Sequence, residues 1–160
     1  MTHDLAISVR RATTKDAAKL AELVNAAYAV EAFFVDGART DAQEVAALVE
    51  RGAFLVLERE GGFAAAVHVE VKAGAAHIGM VSVSPDFQCR GLGTRLVRIA
   101  EAMSEAVGCS TVHLRVVNLR DQLARWYRAL GYREVGTAPY VDRKVKQPCH
   151  FVEMCKELAA

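Results

Sequence analysis

Gln88-Cys89-Arg90-Gly91-Leu92-Gly93-Thr94 lies between a run with the character of a strand and a run with the character of a helix. The strand is His77-Ile78-Gly79-Met80-Val81-Ser82-Val83-Ser84, closed by Pro85. The helix runs from about Gly91 to Val107, with Leu92, Leu96, Ile99, Ala100 and Met103 recurring on one side. Two glycines at such a junction let the backbone come close to a ligand, because no Cβ intervenes. The first amides of a helix lack intrahelical partners, and together with the helix dipole they attract phosphate. This stretch therefore predicts a site for a phosphate-bearing molecule. No lysine follows the glycines, as a P-loop would require, and the third glycine of G-x-G-x-x-G is missing. What remains is Q-x-x-G-x-G after a strand ending in Val-Ser-Pro. On these residues alone, an ordinary strand-to-helix connection that contains glycines stays open.

A chain of 160 residues suits one domain, here expected over 1–160. With 52% hydrophobic and 24% charged residues it reads as globular rather than disordered. No apolar run approaches the roughly 20 residues that cross a bilayer. Met1-Thr2-His3-Asp4 shows neither the basic nor the apolar region of an export signal. A formal net charge of +1 makes no electrostatic case for nucleic acid or a membrane surface. Cys89, Cys109, Cys149 and Cys155 have no zinc-site spacing, and no metal is expected. Reduced thiols in a cytoplasmic protein are the expectation.

Before the glycine turn, Ala6–Ala12 reads as a strand and Thr14 as the N-cap of a helix running to about Tyr28. Glu31 to Arg39 reads as a loop. Thr40 with Gln43 fits a capping box, and the helix it opens is stopped by Gly52 after Arg51. Ala53–Glu60 and Phe63–Lys72 are strands about a Gly61-Gly62 hairpin, and Ala73-Gly74-Ala75 turns into the His77 strand. After the glycine helix come a strand over Ser110–Asn118, a helix over Arg120–Leu130, a strand from Tyr132 to Gly136 and a last strand over His150–Leu158. The strand-helix-strand unit around the glycines predicts a right-handed crossover between parallel strands. The order β-α-α-β-β-β-α-β-α-β-β is that of a mixed, mostly antiparallel α/β sheet of six to seven strands flanked by about four helices.

This order and the glycine motif together resemble the GNAT N-acetyltransferase superfamily, which binds acetyl-CoA. The resemblance covers nearly the whole chain. Tyr127-Arg128-Ala129-Leu130-Gly131-Tyr132 looks like the family's Y-x-x-x-G-[FY] at the end of its last helix. The fold implied is the acyl-CoA N-acyltransferase fold. The activity implied is transfer of the acetyl group of acetyl-CoA to a primary amine.

The resemblance also implies site roles. Amides of Val81, Ser82 and Val83 would bond the acetyl and pantetheine portions of the cofactor. Those of Gln88, Cys89, Arg90, Gly91, Leu92, Gly93 and Thr94 would take the pyrophosphate, with Arg90 and Arg95 as partners for the phosphates. Cys89 stands where the family very often has glycine. Asn118 matches a frequent cofactor-contacting asparagine, although Tyr127 follows it two residues later than is usual. Tyr127 is the candidate general acid, since a phenol with a pKa of about 10 is protonated at neutral pH. Trp126 and Tyr127 could also simply pack their helix on the sheet. His77 stands where some members carry a glutamate base. Imidazole suits that task, but a strand-end histidine in solvent, Glu31, Glu70 or deprotonation through water are all compatible with the sequence.

The acceptor is expected between the loop after the first helix and the loop after Gly136. In the first, Glu31 could attract a cationic amine, Arg39 a carboxylate, and Phe34 could line a pocket, since adjacent phenylalanines are unusual in a loop. Solvated loop charges are the plainer reading. A small molecule, a peptide N-terminus and a lysine all remain open as acceptors. A homodimer paired through the last strands and a non-catalytic acyl-CoA-binding sensor are the alternatives in assembly and function.

Overall fold

The computed structural model describes residues 7–59 and 61–158. Two short turns build the first half of the sheet. Gly61 (φ +88°) joins β2 (Ala53–Arg59) to β3 (Gly62–Lys72), and Ala73-Gly74 (φ +51° and +77°) joins β3 to β4 (Ala75–Val83). Positive φ at a two-residue turn matches the twist of the flanking strands. With β1 (Ser8–Arg11), β5 (Thr111–Val117), β6 (Arg133–Pro139) and β7 (His150–Glu157), they form one seven-stranded sheet in the order β1-β2-β3-β4-β5-β7-β6. Only β4 and β5 pair in parallel; every other neighbour is antiparallel. Among the described residues four α-helices accompany the sheet: α1 (Ala17–Tyr28), α2 (Ala42–Arg51), α3 (Leu92–Ala106) and α4 (Asp121–Ala129). None of the described helices is long and apolar enough to cross a membrane.

Alternation along the strands sorts the core onto two faces. Leu55 and Leu57 of β2 pack with Leu92, Leu96, Val97 and Ala100 of α3. Phe54 and Val56, from the same strand, pack on the other face with Leu20, Val24 and Val45 of α1 and α2. Tyr127 of α4 and Leu130, the residue that caps its C-terminus, belong to the α3 side.

The helix starts differ from expectation by one residue each. Thr13, not Thr14, precedes the first turn: its amide donates to Asp16 Oδ2 at 2.8 Å, and a 3-10 turn over Thr14–Asp16 leads into α1. Asp41, not Thr40, caps α2, accepting from Glu44 N at 2.8 Å. Thr40 is held outside the helix because Asn25 bonds both its backbone N and O at 3.0 Å. The expected loop from Glu31 begins as a 3-10 turn over Ala29–Phe33. Of the expected first strand, Ala6 lies outside the described residues.

The feature that positions the site is a bulge in β4. Ala66 pairs with Ser82 and His68 with Gly79, so Val67 alone opposes both Met80 and Val81. Met80 takes φ +50° to accommodate the extra residue. A bulge bends its strand and increases local twist. Pairing of β4 with β5 accordingly ends at His77 and His113, and the two strands part beyond that point, while β5 stays paired with β7 along its length.

Candidate active site

The glycine turn has the geometry its sequence predicts. Gly91 is the α3 N-cap at φ +75°, and Arg95 N makes the first helical bond, to Gly91 O at 3.0 Å. The backbone N–H groups of Gln88 through Thr94 have no hydrogen-bond partner among the described residues. A run of free amides at a helix start is the chemistry that holds a diphosphate. Gly93 serves a different need: a Cβ there would lie 3.3 Å from Trp126 Cζ2 and 3.4 Å from Val83 Cγ2. Cys89 sits at φ +63°, which explains why glycine suits this position. Arg59 and Arg90 flank the Phe87 ring at 4.8 and 5.5 Å and place positive charge at the mouth.

From this turn a continuous cleft follows the gap between β4 and β5. The hollow beside Gly91 and Trp126 shares Val81, Arg120 and Leu123 with a narrow passage lined by Tyr127. That passage shares Tyr28, Gly79, Met80 and Leu114 with a cavity of about 340 Å³ beyond it. His77, Arg39, Tyr140 and Asp142 line the far cavity.

Ser84 N donates to Ala64 O at 2.8 Å. Strand alternation therefore turns the amides of Val83 and Val81 to the opposite edge, into the gap. Ser82 departs from the expectation for the cofactor contacts. Its amide faces β3, its side chain is buried, and its hydroxyl donates to Met80 O at 2.9 Å, bracing the bulge.

Tyr127 lines the narrow passage. It packs against Trp126 (ring centroids 4.7 Å apart) and Tyr132 (5.6 Å), and no described residue bonds its hydroxyl. Burial raises its phenol above the ordinary value. Tyr28 lines the same passage, with its phenol also raised by burial. His77 stacks on His113 at 5.3 Å, and desolvation, then the charge of His113, lowers its imidazole.

Three expected site residues are engaged elsewhere. Asn118 ties the end of β5 to the start of β7: its Oδ1 accepts from His150 N at 2.8 Å, and its N donates to His150 O at 2.9 Å. Phe34 is fully buried with Val35, Val117 and Phe151, because the 3-10 turn points it inward; Phe33 is the exposed one. Glu31 lines the far cavity but is 4% exposed and already paired, accepting from Arg120 at 2.8 Å and Arg143 at 3.2 Å. Its charge is therefore not free for a cationic amine. Arg39 does line the cavity, over the Tyr28 ring at 5.3 Å.

Sequence reading gave no role to Met80 and Arg120, which line the passage beside Tyr127. Gly79 in mid-strand is the local signal of the bulge. Arg120 carries no such mark, since its partner, Glu31, is far along the chain.

Residues 50–134 match the family described as "Acetyltransferase (GNAT) domain". Among solved structures, the chain is similar to the yncA protein of Salmonella typhimurium, solved with its cofactor acetyl-CoA, at 21% identity and TM-score 0.76, over 96% of this chain and 95% of that one. It is similar to Ard1 of Thermoplasma volcanium at 18% identity and TM-score 0.78, over 98% and 100%. It is also similar to the ribosomal-protein-S18-alanine N-acetyltransferase of Escherichia coli at 22% identity and TM-score 0.72, over 97% and 96%. No curated protein sequence matches it. The chain belongs to the GNAT acetyltransferase family, and it is an acetyl-CoA-dependent N-acetyltransferase on the acyl-CoA N-acyltransferase fold.

Proposed function

We propose that this chain, as a single domain over 1–160 in the cytoplasm, transfers acetyl directly to a primary amine within one ternary complex. The observation that carries this reading is the continuity of the cleft. Free amides lie at one end, a separate cavity at the other, and Met80 and Tyr127 between them.

When bound, acetyl-CoA supplies a thioester carbonyl open to attack by an amine. The amides of Gln88 to Thr94 hold the diphosphate, and those of Val81 and Val83 orient the acyl arm and polarise its carbonyl. The Tyr127 hydroxyl, protonated at neutral pH and kept so by burial, donates to the departing sulfur. His77, lowered toward its neutral form, accepts the amine proton at the far end of the cleft, directly or through water. A non-catalytic sensor would need the cofactor groove but not the second cavity, so the enzyme reading is favoured. The exposed outer edge of β6 is where a second copy would pair.

The test is calorimetric titration with acetyl-CoA and CoA, with NAD and ATP as controls, followed by thiol release across a panel of amines. Micromolar binding of acetyl-CoA with turnover of an amine supports the proposal. Tight binding with no turnover on any amine supports the sensor. Absence of acetyl-CoA binding overturns both.

A further inference from the structure

The far cavity has a roof that bears on the kind of acceptor it takes. The loop after α1 and the loop after β6 are joined by a bridge between Val35 and Val145. Lys146 N donates to Phe34 O at 2.8 Å, and Asp36 N donates to Lys144 O at 3.0 Å. Lys146 Nζ reaches Ala32 O at 2.7 Å, and Gln147 Nε2 reaches Phe33 O at 3.2 Å. A polypeptide acceptor lying between these loops would have to break that ladder. A small molecule would not.

The charges within the cavity are unequal in availability. Glu31 is neutralised by two arginines. Glu153 faces Arg115 at 3.9 Å. Arg39 likewise has one carboxylate at 3.9 Å, that of Glu44, but the same Glu44 oxygen already accepts a 2.6 Å bond from Thr40 Oγ1. Arg39 is nonetheless held in place. The Tyr28 ring lies beneath its guanidinium, and the backbone of the next residue, Thr40, is clamped by Asn25. A fixed guanidinium with a weak partner is a receptor for a carboxylate. Asp142, on the roof loop, adds an acidic group to the same cavity. Tyr28 lines both this cavity and the passage beside Tyr127, so Arg39 stands one aromatic ring away from the reaction channel.

We propose that the acceptor is a small amine that carries a carboxylate, of the amino-acid type, with Arg39 binding the carboxylate while the amine faces the passage beside Tyr127. This rests on the reading of the cleft as an acetyltransferase site. The transfer balances simply. The amine nitrogen forms the new amide bond, the thioester C–S bond breaks, the amine loses one proton and the departing sulfur gains one.

The experiment compares matched acceptors: free amino acids, their carboxamides and methyl esters, simple alkylamines, and peptides with free N-termini. Thiol release from acetyl-CoA is followed with the wild type, Arg39→Lys and Arg39→Ala. Binding of each acceptor to the CoA-loaded protein is measured alongside by calorimetry. The free acids should exceed their carboxamides in kcat/KM by about 10- to 100-fold, the worth of a charge-assisted contact. Arg39→Ala should abolish that ratio by raising the KM of the free acids far more than that of the carboxamides, with acetyl-CoA affinity retained, and Arg39→Lys should keep part of it. Equal use of acids and amides, preference for peptides, or a ratio insensitive to Arg39 overturns the proposal. So does failure of every carboxylate-bearing amine both to turn over and to bind. Loss of acetyl-CoA binding itself would instead strike the acetyltransferase reading.

Discussion

His77 and His113 are the last paired residues of the parallel ladder between β4 and β5, and their rings stack 5.3 Å apart, 22° from parallel. The pair stands where the sheet opens into the cleft. Desolvation, then the charge of His113, disfavours protonation of His77.

Stability should fall as pH drops below about 6.5, the ordinary histidine value. The imidazoles of His77 and His68 are both lowered in the fold, His68 by burial against a 2.8 Å contact with Leu48 O. Above the unfolded value both states are neutral and the full stability is present. Below it the unfolded chain takes up protons first, and stability is lost until pH passes the folded values. Asp16, held at about 2 by its bonds with Arg10, adds stability throughout this range, and that share is lost only as pH falls below about 4. Thermal melts from pH 7.5 to 5 should show the decline, and His77→Gln should flatten part of it. The same variant should remove the acidic limb of the kcat/KM profile. A melting temperature constant over that range would contradict the assignment.

Tyr127→Phe should lower kcat by about 10²-fold, within the usual range for a lost general acid, without weakening CoA. The hydroxyl has no partner to lose among the described residues, and the ring contacts with Trp126 and Tyr132 remain. Because the phenol is raised, the wild type should show no basic limb from Tyr127 below pH 10. Single-turnover kinetics with calorimetric CoA affinity would separate the two effects. Equal losses in both would make Tyr127 a packing residue.

Cys89→Gly should stabilise the protein by roughly 0.5–1 kcal/mol. An L-residue at positive φ costs about 1–2 kcal/mol, and part of the gain is returned as glycine's greater freedom when unfolded. Urea denaturation measures this, and CoA affinity should be preserved because the substitution keeps the backbone amide of residue 89. Alkylation of the exposed Cys89 thiol should be slowed by bound CoA, whereas buried Cys109 and Cys155 should react little in either state. A destabilised Cys89→Gly would point to a role for the side chain.

Glu31→Ala should destabilise the fold by about 3–5 kcal/mol, the cost of removing one partner from a buried ion pair. Two guanidiniums, those of Arg120 and Arg143, would lose their shared carboxylate. Glu31→Gln keeps the shape and should cost less. Denaturant midpoints for both variants check this. A near-neutral Glu31→Ala would mean that water replaces the carboxylate freely.

The elements that were legible in the chain are those written in local chemistry. The Gly61 and Gly74 turns, the stop at Gly52, the Gly91 start of α3 and the alternation of β2 each depend on a few adjacent residues. Backbone sterics and side-chain period suffice to read them. The free amides at Gln88 to Thr94 belong to the same class, because a helix start leaves them unpaired whatever surrounds it.

Other features came only from contacts between distant segments. Nothing near Glu31 shows that Arg120 and Arg143 will neutralise it, so its apparent availability was misleading. Phe33 and Phe34 look alike in sequence, and the direction of one 3-10 turn sends Phe34 into the core and leaves Phe33 outside. Ser82 reads like its neighbours until the register against β3 turns its amide away. The stacking of His77 on His113 depends on where the parallel ladder ends, and that depends on the bulge at Met80. Local sterics act on neighbours and can be read along the chain. Charge neutralisation, burial and register are pairwise properties of residues far apart in sequence, and they exist only once the chain has folded.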